Sequence, residues 1–160
     1  MTTFDGPGLT LIEEHVRRVL ASMGFAEVTI YCRYDEERLS IDVEAGEDGK
    51  LLIGTQGIHL AALQHVIRCL LRQQLQESVI TNVDVNGYQA RRERGIVDLA
   101  AEAAKRAQST GRTVILQAMS PADRRTVHTS LSLRGDVATE STGAEPNRKV
   151  VIKPISTLVT

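Results

Sequence analysis

The hydrophobic pattern of this chain changes period in a fixed order, and that order constrains the fold more than any single residue. Leu9, Ile12, Val16, Val19, Leu20 and Met23 recur at three- and four-residue intervals, which predicts an amphipathic helix. Gly24 follows directly and suits a left-handed helix stop. The period then drops to two. Val28, Ile30, Cys32 and Tyr34 alternate with polar residues, and after Asp35-Glu36-Glu37 the alternation resumes at Leu39, Ile41, Val43 and Ala45, predicting a hairpin. Gly46 and Gly49 interrupt it before the apolar trio Leu51-Leu52-Ile53. Gly54-Thr55-Gln56-Gly57 opens a second helix with Leu60, Leu63, Ile67, Leu70 and Leu71 inward, and Val79, Thr81, Val83 and Val85 form a last strand. Helix, strand, strand, helix, strand describes a small α+β unit with one sheet covered by helices.

Beyond Asn86-Gly87 the pattern starts again. Tyr88 to Gln108 predicts a helix whose inward stripe is Ile96, Leu99, Ala100, Ala103, Ala104 and Ala107. Gly111 ends that region, and Thr113 to Leu116 predicts a short strand. Ser120-Pro121-Ala122-Asp123 carries the marks of a helix start: a serine cap, proline at the first helical position and an acid three residues after the cap. That helix should reach Leu131 or Leu133. Val137–Thr139 and 148–152 predict two strands around a turn at 143–147, with a loose tail from Pro154.

Charge supports the same division. Residues 1–87 hold seven Lys/Arg against thirteen Asp/Glu, whereas residues 88–134 hold nine against four. An anionic partner is therefore attracted to the second unit and repelled by the first, except at a local site. Composition excludes several classes. No apolar run is long enough for a membrane-spanning helix, and Met1 to Gly6 lacks the features of a secretory signal, so a cytoplasmic protein without membrane insertion is expected. Cys32 and Cys69 form no C-x-x-C, which speaks against a disulfide framework or zinc ribbon. With no tryptophan and 3% aromatic residues, an aromatic stacking sheet is excluded as well.

Several residues stand out chemically. Arg124 and His128 lie four apart on the helix that starts at Ser120, so they share one face, and Arg125 broadens the positive surface. The same spacing also arises by chance on exposed helices. Arg91, Arg92 and Arg94 crowd a helix start, where the dipole disfavours cations, which suggests phosphate contact or an acidic neighbour. The glycines of Gly54-Thr55-Gln56-Gly57 allow close approach of a backbone, and the following helix aims free N–H groups at it; a tight strand-to-helix turn uses the same residues. His15, His59, His65 and His128 occupy three predicted helices without a nucleophile and carboxylate in recognisable order, so no catalytic residue, metal ligand or cofactor site is expected.

These residues resemble a known pair of modules. The first unit, 8–87, is similar to a bacterial type II KH domain, with Ile53-Gly54-Thr55-Gln56-Gly57 as its signature loop. The second, 88–153, resembles an R-3-H domain (named for Arg-x-x-x-His) in Gly87 to Glu93, Met119 to His128, Thr139 to Gly143 and Pro146 to Ile152. KH followed by R-3-H is similar to the Jag family of bacterial RNA-binding proteins, also called KhpB or EloR. The loop departs from the usual family pattern in carrying neutral Thr55 and Gln56, and a protein without the Jag-type domain that often precedes the KH unit is expected.

The resemblance implies a two-domain α+β fold: a KH-like α-β-β-α-β unit, an R-3-H unit of helices on a three-stranded sheet, and a tail at 154–160. It implies non-catalytic binding of single-stranded RNA, or of single-stranded DNA, in post-transcriptional or cell-envelope and elongation control. Gly54, Thr55, Gln56 and Gly57 would hold the nucleic-acid backbone and Arg124 and His128 would meet phosphates; Arg125, Arg91, Arg92 and Arg148 complete the candidate set. The alternative is an adaptor whose acidic first unit pairs with another KH protein or a second copy.

Overall fold

A computed structural model of the chain describes residues 6–35, 37–75 and 79–155. They form two compact units, Met1–Gln89 and Ala90–Thr160. The whole is mixed α+β, with two three-stranded sheets.

The first unit runs α1 (Gly6–Ser22), β1 (Thr29–Asp35), β2 (Arg38–Glu44), α2 (Gly49–Ile53), α3 (Ile58–Leu75) and β3 (Ile80–Val85). β2 is central, antiparallel to β1 and parallel to β3, with Cys32 opposite Ile41 and Ile41 opposite Val83. Because side chains alternate across a strand, this register sends Ile30, Leu39, Ile41, Val43, Val83 and Val85 to one face. There they join Ile12, Val16 and Leu20 of α1 and Leu60, Leu63, Ile67 and Leu71 of α3 in one buried core. α1 stops where expected: Gly24 has φ +95°, and the Phe25 N–H donates to the Leu20 carbonyl at 2.8 Å. Edge strand β3 is tied down by α3, since Arg68 Nε and Nη2 donate to the Thr81 carbonyl at 2.9 and 2.8 Å.

The second unit takes most of α4 (Tyr88–Thr110), then β4 (Val114–Ala118), α5 (Pro121–Leu131), β5 (Val137–Thr142) and β6 (Lys149–Pro154). β6 is central and antiparallel to both neighbours. Ile96, Ala100, Ala103, Ala104 and Ala107 of α4 bury against Val127 and Leu131 of α5 and against Val114, Leu116, Val150 and Ile152 of the sheet. At every inward position after Ile96 the buried residue is alanine, which lets the helix backbone pack close to its neighbours.

Four expectations change. Met23 and Leu99 are 52% and 42% exposed, so each stripe is narrower than its periodicity suggested. The apolar trio at 51–53 belongs to a short helix, α2, with only Leu52 buried; the glycine loop thus joins two helices rather than a strand and a helix. Pro154 is the end of β6, and the Ile155 N–H donates to the Asp136 carbonyl at 2.8 Å, so the ordered domain extends past the expected tail start. Residues 156–160 of that tail lie outside the described residues. No described helix is long and apolar enough to cross a membrane.

Ala104 is fully buried. Ala104→Leu is therefore expected to lower the unfolding free energy by about 1–3 kcal/mol, read as a lower urea midpoint with unchanged slope.

Candidate nucleic-acid interface

In the first unit the glycine loop owes its shape to backbone sterics. Gly54 sits at φ 68°, ψ 179°, a region closed to residues with a Cβ, and Gly57 at φ 83°. Packing reinforces the requirement. A Cβ on Gly54 would lie 2.5 Å from the His59 ring, and one on Gly57 would lie 2.9 Å from the Tyr88 ring. His59 is itself fixed, its Nδ1 2.7 Å from the Leu51 carbonyl. Between the glycines, Thr55 and Gln56 are exposed, Gln56 in a left-handed conformation. The loop therefore offers two outward neutral side chains ahead of α3, with the space beside both glycines taken by the His59 and Tyr88 rings.

In the second unit, α5 starts as its sequence indicated. Ser120 Oγ accepts the Asp123 N–H at 3.1 Å and donates to Asp123 Oδ2 at 2.9 Å, with Pro121 at the first helical position. Asp123 is buried and meets Arg92 of α4 through two hydrogen bonds, Nε to Oδ1 at 3.0 Å and Nη2 to Oδ2 at 2.7 Å. Arg92 thus has the acidic neighbour that its position in a helix start suggested. Burial by itself raises the Asp123 pKa, but hydrogen bonds from Arg92 and Ser120 outweigh it and hold the carboxyl below the usual aspartate range.

α5 then aims Arg124 and His128 toward β5 and the turn that follows it. The Arg124 side chain is 10% exposed; its Nε donates to the Met119 carbonyl at 3.3 Å and its Nη2 to Glu145 Oε1. The half-buried His128 ring lies between two hydroxyls of β5, Nδ1 2.7 Å from Thr139 Oγ1 and Nε2 2.8 Å from Ser141 Oγ. Each hydroxyl can donate or accept, so the ring is satisfied in either tautomer. The two residues do share a helix face, as their spacing requires, and that face is turned onto the unit's own sheet and turn.

The other candidate cations are placed differently. Arg125 is exposed on α5, and Arg91 and Arg94 are exposed on α4. Arg148, just before β6, is half-buried with its Nε enclosed and without a hydrogen-bond partner. Sequence reasoning did not single out Glu145 or Ser141 as partners of the Arg-x-x-x-His pair. No local pattern signals them, since the two contacts span 21 and 13 residues. Burial, with Glu13 and Asp42 adding, pushes the Cys32 thiol up to about 11, which keeps it protonated at neutral pH.

Comparison with known proteins places this geometry in a class. Residues 95–154 match the R-3-H domain, so the α5 pair lies inside a recognised module. Over 140 residues, 87% of this chain and 63% of the relative, the sequence is 31% identical to the RNA-binding protein KhpB of Clostridium symbiosum. It is 27% identical over 143 residues to the KhpB protein of Streptococcus pneumoniae, covering 89% of this chain and 43% of that one. With the KhpB protein of Lactiplantibacillus plantarum it shares 32% identity over 102 residues, 64% of this chain and 32% of the relative. Over most of its length the chain is thus similar to proteins named KhpB, and its second unit matches the R-3-H module. It spans under two thirds of the first of these relatives and under half of the second.

Because the folded-state pKa of Asp123 is depressed, its ionised form stabilises the fold at neutral pH, and that contribution fades as pH falls below about 4. Asp123→Asn is expected to lower stability at pH 7 by about 1–3 kcal/mol. Denaturant titrations should show the difference from the parent protein shrinking between pH 5 and pH 3.

Proposed function

We propose that this chain binds single-stranded nucleic acid, RNA first, without catalysing a reaction on it, and that the basic second unit supplies most of the affinity. The observation that carries the reading is the R-3-H match on the unit holding the excess of cations, in a chain whose relatives are named RNA-binding proteins. Phosphate contacts from Arg91, Arg125 and Arg148 would surround the Arg124 and His128 pair, with Arg92 holding the start of α5 in place. The first unit, KH-like in its element order and its G-x-x-G loop, would add backbone contacts from Gly54 to Gly57. Neutral Thr55 and Gln56 make it the weaker contributor, since no cation between the glycines meets the phosphates.

A partner role belongs to the same proposal as its second component. Ile58, Ala62, Val66 and Cys69 are exposed along one face of α3, an apolar stripe suited to another KH-type protein or a second copy. Val66→Asp should leave the fold intact and shift light-scattering mass toward the monomer; an unchanged mass dismisses the stripe as a contact.

Fluorescence anisotropy with a labelled oligouridylate tests the main reading. Affinity should fall steeply with salt, with a log–log slope near 0.7 per phosphate contact. Arg125→Ala should weaken binding several-fold and reduce the slope by about that amount. Gln56→Glu, which adds a like charge to the glycine loop, should weaken it less. Failure of the intact chain to bind at low salt refutes the proposal.

A further inference from the structure

We infer that Arg124 is a positioning residue, and that the turn it holds, residues 143–148, presents Arg148 as a phosphate-contacting group. The inference rests on the nucleic-acid-binding reading above and assigns roles within that site.

A guanidinium grips phosphate by offering a fork of free donors from an accessible position. Arg124 is poorly placed for this in the folded unit. Its side chain is one-tenth exposed, and its Nε and Nη2 are committed to Met119 and Glu145. Its remaining N–H groups, on Nη1 and Nη2, sit on a side chain with little open surface, which sets them poorly for an outside phosphate.

The same bonds form a closed circuit around the turn. Arg124 donates to the carbonyl of Met119, and the N–H of Met119 donates to the carbonyl of Arg148 at 3.2 Å. From the opposite side, Arg124 holds the carboxylate of Glu145, which is 53% exposed and reaches the pair from the surface. The turn closes on itself through the Asn147 N–H, which donates to the Ala144 carbonyl at 2.9 Å. Gly143 supplies φ +89°, and a Cβ there would sit 3.4 Å from the Asn147 carbonyl. Arg124 thus fixes both shoulders of a tight turn that ends at Arg148.

Arg148 differs from Arg124 in what is left over. Among the described residues it forms no ion pair, and its Nε is enclosed without a hydrogen-bond partner, so its phosphate contact runs through the terminal nitrogens. Lys149 follows directly at the start of β6. A turn bearing two cations in succession, locked from beneath by a buried arginine, sets charge in a defined place for an anionic strand. His128 acts in the same way a helical turn further along α5, tying β5 through Thr139 and Ser141.

The sign of one substitution decides between positioning and competition. If Arg124 were the gripping group, Glu145 would occupy the phosphate's place, and removing its charge would tighten binding. If Arg124 positions the turn, removing the charge loosens the turn and weakens binding. Salt-dependent anisotropy with labelled oligouridylate on the full chain should show Glu145→Gln weakening binding several-fold with the slope unchanged. Arg148→Gln should weaken binding and reduce the slope by about 0.7. Arg124→Ala should add little in the Glu145→Gln background, since both act through one circuit. Glu140→Gln, which removes the same charge from β5 without touching the turn, is the charge control and should not weaken binding.

Tighter binding by Glu145→Gln than by Glu140→Gln overturns the inference. So does a slope reduced by Arg124→Ala but not by Arg148→Gln. Should Arg124→Ala fail to fold, amide hydrogen exchange in Glu145→Gln decides: faster exchange across 143–148 is expected, and an unchanged turn refutes the circuit. A parent chain that binds no RNA sinks the functional reading and this inference together. A parent chain that binds, with either contrary result, sinks only the positioning role.

Discussion

The geometry of the second unit depends on one buried carboxylate. Asp123 accepts the fork of Arg92 from α4 and is bonded to the Ser120 cap of its own helix. Ser120 and Pro121 alone would start α5 but would not fix its rotation. The pair with Arg92 does, because a bidentate contact between planar groups restrains orientation as well as distance. With α5 so turned, Val127 and Leu131 enter the core, and Arg124 and His128 fall over the β5–β6 end of the sheet. A charge this enclosed is tolerable only while its partners remain, so a contact that aims the helix also becomes a point of acid sensitivity.

Where a structural cause acted over three or four residues, it was legible in the sequence. The α5 cap, the stop at Gly24 and the order of elements in both units follow from local spacing, and the structure bears them out. The periodicities also identified most of the core. They overreached at Met23, one residue past the end of α1, and at Leu99, mid-way along α4, because periodicity reports which residues share a face and not where the helix stops or how far a neighbour covers it. The trio at 51–53 is a related case. Three apolar residues in a row fit a strand and a helical turn equally well, and the choice was made by Gly49, buried against the Asn86 side chain, whose amide also bonds the Gly46 carbonyl.

The site was less legible than the fold, because its contacts are long in sequence. Arg92 and Asp123 are 31 residues apart and Arg124 and Glu145 are 21 apart, and no pattern of spacing predicts such pairs. An arginine and a histidine one helical turn apart can be recognised as a shared face. Which way that face points is decided by the sheet, and here β5 supplies hydroxyls at alternate positions, Thr139 and Ser141, that meet the imidazole. The glycine loop shows the opposite situation. Its glycines were conspicuous in sequence, and the structure adds why both are needed: backbone angles barred to other residues, with aromatic rings filling the space a Cβ would take.

The central claim is that unpaired nucleic acid lies on the exposed cations of the second unit and on the turn at 143–148, while Arg124 and His128 serve from beneath. Ultraviolet crosslinking of the intact chain to single-stranded RNA, with mass-spectrometric mapping of the attached peptides, tests this most directly. Crosslinks should concentrate in the peptides carrying Arg91, Arg125 and Arg148, with a weaker set at the loop between Gly54 and Gly57. Crosslinks confined to the acidic first unit outside that loop, or none above background, would contradict it.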